Sequence, residues 1–414
     1  MKLSGLWLHT EFRKLWAGQG ISLLAYRVWF FALQITAVVV LEATPFQMGV
    51  LLAMQGMPAI FGIFLGAWSD GRRRLPIIVG VDIARAGLLL VIPVGHALDF
   101  LTIELLYAVA FGIGFMSMLF QIAYRALLPS IVERDQLVEA NSKLELATSG
   151  SVAIGPAIGG ALVQAFAAPF ALIFSSVSFT LSAVFFRRMD VDEQISSPDD
   201  QAIGSQGGIR EGLRYFWSNR SLVGLAASNM SFVSFGTVVG TVWTLYMIRE
   251  LEISPGLLGA IFGIGSVGLV LGSLVTSRLT STLGVGRLMA IGLVITGIGG
   301  LTVPLVTGPI IVIIAIVIFA QIAMDAGIVI YNVQMVSLRQ AITPDNLQGR
   351  VTSILVVVSR GSVPVGGLLG GLLGEVIGLR GALIVGASGV GFSALWLVYF
   401  GVWRVHALPG QAEE

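Results

Sequence analysis

The chain has 414 residues, 56% of them hydrophobic and only 11% charged, with a formal net charge of +1 and a mean hydropathy of +0.90. No soluble fold of this size can hide so much apolar surface, so the solvent for most of it is lipid. There is no cysteine, which excludes disulfides, cysteine-ligated metals and thiol catalysis.

A membrane-spanning helix needs about 20 mostly apolar residues. Twelve such stretches follow one another at about 15–41, 47–68, 76–95, 102–122, 141–166, 169–187, 221–247, 256–279, 287–306, 309–334, 351–376 and 380–403. The expected fold is an all-α integral membrane protein with twelve transmembrane helices in two pseudo-symmetric six-helix bundles. Residues 1–187 form the N-terminal bundle, 188–220 a cytoplasmic linker with an amphipathic helix, 221–403 the C-terminal bundle and 404–414 a cytoplasmic tail. The short amphipathic start, Met1 to Lys14, runs into span one without a small-residue cleavage site, so that span is expected to be retained.

Span one carries Arg27 at bilayer depth, with Gln34 seven residues on and Tyr26, Phe30 and Phe31 beside it. Between spans two and three lies the cationic turn GAWSDGRRRLPIIVGVDIAR, Gly66 to Arg85. Asp70 can cap a neighbouring helix while Arg72, Arg73 and Arg74 hold carboxylates or lipid phosphates, a latch able to form in one conformation and break in another. The plain alternative is that the arginines only fix topology. Asp82 and Arg85 are three residues apart on one helical face, which suits a gating or structural ion pair better than substrate contact. Glu145, shallow in span five, reads the same way, with Arg125 or Arg134 as partner. Further along span five, Gly155 and Pro156 permit close helix packing and a bend.

The polar interruption from Arg187 to Arg220 begins as an acidic Ser, Asp and Gly-rich linker. It continues as IREGLRYFWSNR, in which Leu213, Phe216 and Trp217 oppose Arg210, Arg214 and Arg220 as in a surface helix. In the second half, Asn229 joins the cavity candidates, and Trp243 and Tyr246, near an outer edge, read either as lining a substrate site or as interfacial belt residues. Gln321, Asp325 and Asn332 form a polar stripe at helical spacing, and Arg360 again lies deep. A charge at the bilayer centre costs about 2.5–3.5 kcal/mol on insertion scales, so Arg27, Asp325 and Arg360 must each face a cavity or a partner. A permanent Arg–Asp pair is the structural alternative.

Of the 24 Lys and Arg residues, nineteen fall on one set of loops and ends, two on the other and three within spans. The positive-inside rule then puts both termini in the cytoplasm. The halves also repeat: Pro129 to Leu137 before Gly155-Pro156-Ala-Ile-Gly159-Gly160 matches Ile342 to Leu347 before Val363-Pro364-Val-Gly366-Gly367, at about half the chain length. Such repetition marks a two-bundle transporter.

On these residues, and on GQGISLLAYRVWFFAL, AYRALLPSIVERDQLVEAN and SLRQAITPDNLQGRVTSI, the chain resembles the major facilitator superfamily over its whole length. Within it the likeness is to the bacterial branch that contains the enterobactin exporter and macrolide-efflux proteins. The resemblance implies that the Asp70 turn is a gate, that the span-five Gly-Pro grouping is an antiporter signature, and that a proton drives transport. Three departures stand out: Gly71 follows the acid where a basic residue is usual, Ser142 and Ser151 replace upstream glycines, and Tyr26 stands where the branch usually carries a coupling acid. The last leaves Asp325 as the coupling candidate.

The expected function is secondary active export of an amphipathic organic molecule, a siderophore, drug or secondary metabolite, across the bacterial cytoplasmic (inner) membrane in exchange for protons. The two deep arginines, Arg27 and Arg360, favour anionic character in the cargo. Uptake by symport on the same fold is the alternative, and a membrane-embedded enzyme or receptor a remote one. There is no His-Glu-x-x-His, no deep His and no nucleotide-binding P-loop. No cofactor, catalytic residue, metal site or nucleic-acid partner is expected, and the working unit is read as a monomer.

Overall fold

The structure is a computed structural model that describes residues 5–191, 193 and 208–406. The linker segment 194–207, the tail 407–414 and the side chains of Asp70 and Arg134 lie outside the described residues, so the Asp70 cap and a Glu145–Arg134 pairing have no structural account. Every regular element among the described residues is helical.

The first half runs α1 (Thr10–Ile35), α2 (Pro45–Gly56), α3 (Gly62–Asp70), α4 (Arg74–Ala97), α5 (Ile103–Leu127), α6 (Leu137–Phe166) and α7 (Ala168–Arg187). The connecting helix α8 (Gly208–Ser218) follows. The second half runs α9 (Arg220–Arg249), α10 (Pro255–Gly265), α11 (Val267–Leu283), α12 (Val285–Leu305), α13 (Ile310–Ile342), α14 (Gln348–Phe392) and α15 (Ala394–Tyr399).

Ten of the described helical stretches are long and apolar enough to cross a membrane unaided. The expected twelve are recovered at two places. Span two is not one helix: the 3-10 turn Met57–Phe61, with Pro58 near its start, separates α2 from α3. Proline lacks the amide that an α-helical turn needs, and the chain tightens locally instead. Conversely α14 holds spans eleven and twelve, parted at Gly378, whose φ of 76° no right-handed helix accommodates. The polar ends are closed by side chains. Asn219 accepts from Ser221 N at 3.0 Å and Leu222 N at 3.2 Å to start α9, and the Glu193 carboxylate accepts from Arg74 N and Leu75 N to start α4.

The internal repeat is written in the backbone. Besides Gly5, Gly284 and Gly401, positive φ occurs at Glu42 (48°), Asp99 (56°) and Ala167 (66°) in the first half and at Glu252 (52°), Gly308 (132°) and Gly378 (76°) in the second. The three pairs are 209 to 211 positions apart, the spacing at which the sequences of the halves correspond. Left-handed backbone is costly for the four non-glycine residues, so its recurrence at matching junctions reflects the same chain reversal built twice.

The chain forms two compact units. One contains α1, the end of α2 from Met54, α3 to α7, and Ile253–Ala260. Its core gathers Phe12, Ile78, Phe120, Leu144 and Phe186. Within it Gly160 of α6 packs on Gly259 of α10 so tightly that a Cβ on Gly160 would lie 2.8 Å from the Gly259 Cα. The other contains Thr44–Ala53, α8, α9 and the chain from Ile261. Its core gathers Phe216, Leu222, Met289, Tyr331 and Leu397. Phe216 anchors α8 there, Tyr215 Oη donates to Ile342 O at 2.6 Å, and Arg350 pairs with Glu211 at 2.9 Å, leaving Trp217 exposed on the other side.

In lipid, small residues set how near two helices can come, because there is no hydrophobic drive between them. The helix that carries Asp325 is seated this way: a Cβ on Gly292 of α12 would lie 2.7 Å from Gly327 O of α13. Gly292→Val should therefore lower stability by about 1–3 kcal/mol, the usual range for overpacking. A lower midpoint of thermal unfolding in detergent, with Gly240→Val, where a Cβ meets nothing within 4 Å, as an uncrowded comparison, checks this.

Candidate substrate and coupling site

In the first unit, the buried polar centre lies where α1, α4, α5 and α7 meet. Arg85 Nη1 pairs with Asp82 Oδ1 at 2.9 Å, and both side chains are shut away from solvent. Ser182 Oγ donates to Asp82 Oδ2 at 2.7 Å, and Ser22 Oγ lies 3.4 Å from Asp82 Oδ1. The Arg85 guanidinium also lies over the Phe120 ring at 4.6 Å and near Phe179 at 5.2 Å. The ion pair is thus enclosed by serines and aromatic faces and joins four helices.

On α1, Arg27 is half-buried, and its aliphatic stem lies against Gly155 of α6. A Cβ on Gly155 would collide with that stem, so this glycine is required for Arg27 to fit. Phe31 packs on Gly159 in the same way one turn later. Arg27 Nε has no hydrogen-bond partner among the described residues. Tyr26 packs on Trp29 with centroids 5.1 Å apart, Phe30 is half-buried and Gln34 is buried. Pro156 lies inside α6. An apolar cavity of about 410 Å³ opens between α1 and α6, lined by Trp16, Gly20, Leu24, Gly150, Ser151 and Ile154.

At the α3–α4 turn, Arg72 lies over Trp68 at 4.3 Å and Arg73 borders a cavity of about 540 Å³ with Trp68, Pro76 and Met116. Arg73 is the residue before α4 and Arg74 its first, where Glu193 holds the helix start. Glu145 is exposed on α6 and forms no ion pair among the described residues, so the structure does not bring it to Arg125.

In the second unit, Asp325 sits midway along α13. Gln321 Nε2 donates to its Oδ1 at 3.1 Å, and a Cβ on Gly265 would lie 3.4 Å from its other oxygen. Asp325 has no ion pair among the described residues. Toward the C-terminal end of the same helix, a cavity of about 340 Å³ lies between α9, α13 and α14. Asn229, Asn332 and Arg360, three of the residues expected to line a cavity, meet there beside Phe232, Met335, Ser359 and Arg339.

Arg339 was missed because span ten was read as ending near residue 334, which placed the arginine in a loop. Helix α13 continues to Ile342. Extending the stripe Gln321, Asp325, Asn332 by one more seven-residue step would have found it. Trp243 and Tyr246 correct a second expectation: both are buried inside the unit, not placed in an interfacial belt.

A family profile described as transmembrane secretion effector, MFS_3, matches residues 6–412. The chain belongs to this family of the major facilitator superfamily. An uncharacterized MFS-type transporter of Bacillus subtilis, YfiS, is 26% identical over 375 residues, 89% of this chain and 88% of its own. Among solved structures, a bacterial homologue of the iron transporter ferroportin in its inward-facing state superposes with a TM-score of 0.75 at 15% identity, over 96% of this chain and 99% of that one. A variant of the nucleoside transporter NupG gives 0.75 at 14% identity, over 95% and 99%. These likenesses to solved structures establish the fold. With the family match they make the chain a multi-pass membrane transporter for a small-molecule substrate.

Breaking a buried pair leaves an uncompensated charge and costs about 3–5 kcal/mol, whereas removing both charges costs far less. Asp82→Asn and Arg85→Gln are therefore each expected to destabilise strongly, and the double variant by less than the sum. Thermal unfolding of the three variants in detergent measures the coupling.

Proposed function

We propose that this family member exports an amphipathic organic molecule across the bacterial cytoplasmic membrane in exchange for protons. Its two bundles alternate access to a central site, both termini are cytoplasmic, and the monomer is the working unit. The cargo class expected from the enterobactin and macrolide-efflux likeness, a siderophore, drug or secondary metabolite, fits this reading.

The observation that carries it is Asp325. A carboxyl group midway along a 33-residue apolar helix, bonded only to Gln321 and without an ion pair among the described residues, is expensive to keep charged unless water reaches it. Such a group serves transport by binding a proton in one state of the cycle and releasing it in the other. The α13 stripe supports the division of labour: the acid sits at mid-depth, and the polar cavity lies on the same helix face two turns further on.

In the first bundle Arg27 supplies a second deep charge at the α1–α6 contact, and Gly155 and Pro156 place against it a closely packed helix with a proline in its interior. A bundle that rocks needs such a contact, because packed helices switch between discrete arrangements more readily than they deform. The Asp70 and Arg72–Arg74 turn is the proposed gate, with Arg73 and Arg74 poised at the start of α4.

Everted vesicles with a pH-sensitive dye test the reading. Addition of siderophores, macrolides and lipophilic dyes should collapse the proton gradient with wild type and with Asp325→Glu, and not with Asp325→Asn. Collapse that survives Asp325→Asn moves coupling to another acid. Labelled substrate that accumulates in whole cells together with entering protons would make the chain a symporter.

A further inference from the structure

We infer that the cavity between α9, α13 and α14 binds the acid group of an amphipathic organic anion, with Arg339 and Arg360 as its oxyanion ligands. This rests on the export reading and deepens it by naming the class of cargo.

Two guanidinium groups border one cavity of about 340 Å³, and no Asp or Glu is among the residues that line it. Arg339 forms no ion pair among the described residues. The Arg339 charge, in a half-buried cleft whose lining holds no carboxylate, raises the cost of the cleft unless an anion from outside occupies it. Arginine suits that role better than lysine, because its planar fork meets carboxylate, sulfonate or phosphate oxygens two at a time.

The neighbours complete a binding site. Asn229, buried on α9, and Asn332 on α13 bring amide donors, and Ser359 a hydroxyl. Phe232 and Met335 bring an apolar wall for the body of the molecule. An acid head with a ring behind it fits the volume, which lies at the small end of the usual range of about 300–1,000 Å³ for ligand pockets.

The depth of the two arginines gives the cargo a route. Arg339 is in the last turn of α13, about 5 Å from its end, while Arg360 is about 18 Å along α14 from its start, at 1.5 Å per residue. The acid group is therefore caught at the mouth by Arg339 and drawn inward to Arg360. In the expected topology that mouth is cytoplasmic, the side from which an exporter loads.

The test uses the full chain in phosphatidylcholine nanodiscs, titrated calorimetrically with three matched probes: 2-naphthoate, neutral 2-naphthamide and the cation 2-naphthylmethylammonium. Naphthoate is expected to bind at least about tenfold more tightly than the other two, the scale of one charged hydrogen-bonded contact. Arg339→Gln and Arg360→Gln should each remove that advantage without changing the thermal midpoint or naphthamide binding, Arg339→Lys should restore part of it, and Arg210→Gln should change nothing. Equal binding of the three probes, no saturable binding, or naphthoate binding indifferent to both arginines overturns the inference. Loss of naphthoate binding when phosphatidylglycerol is added to the nanodisc would assign the site to a lipid headgroup and overturn it as a cargo site. Naphthoate binding that needs both arginines while vesicles show no proton exchange would sink the export reading and leave the anion site standing. Exchange without arginine-dependent binding would do the reverse.

Discussion

A charged side chain at bilayer depth must meet water or an opposite charge, and this constraint sorts the ionisable residues of the chain into kinds. Asp82 and Arg85 satisfy it with each other, enclosed by Ser22, Ser182 and two phenylalanine rings. Asp325 has no opposite charge beside it among the described residues, only one amide partner and a glycine facing its second oxygen, so it needs water or a proton. Arg339 and Arg360 lie on the wall of a cavity. The Asp82–Arg85 pair joins four helices, whereas the carboxyl group and the cavity arginines are the groups on which the proposed coupling and binding rest.

Glycine gives those charges their geometry. The Arg27 stem needs Gly155, the Asp325 carboxylate abuts Gly265, and the helix carrying Asp325 is pressed to α12 through Gly292 and Gly327. With no hydrophobic force drawing helices together in lipid, these close approaches supply both dispersion contact and the precision of side-chain placement. Gly155, Gly265, Gly292 and Gly327 therefore help to place these charged side chains.

The spans were legible in sequence because length and hydropathy are local properties, and the repeat was legible because matching turns need matching residues. The Glu42/Glu252 and Ala167/Gly378 junctions confirm it in backbone angles that no hydropathy profile contains. Pairing of Asp82 with Arg85 followed from three-residue spacing, whereas the serines and aromatic rings that seal it come from helices far apart in the chain. The break at Met57–Phe61 was hidden within an apolar run that looks continuous. Arg339 was hidden by a boundary placed two turns early, since positive charge near a span end reads equally well as topology or as site. What brings Asn229, Asn332 and Arg360 together is packing between α9, α13 and α14, which no single stretch encodes.

Proton coupling at Asp325 and anion binding beside Arg339 both require that the face of α13 bearing Asp325, Asn332 and Arg339 is wet while its flanks face lipid. The absence of native cysteine allows this to be measured without a background substitution. Asn332→Cys and Val333→Cys, one residue apart on α13, would be exposed in turn to a membrane-impermeant thiol reagent in everted vesicles. A wet face gives fast labelling at 332, slowed by bound cargo, and little at 333, although Val333 is the more exposed of the two in the structure. Labelling at 333 with protection at 332 would contradict it.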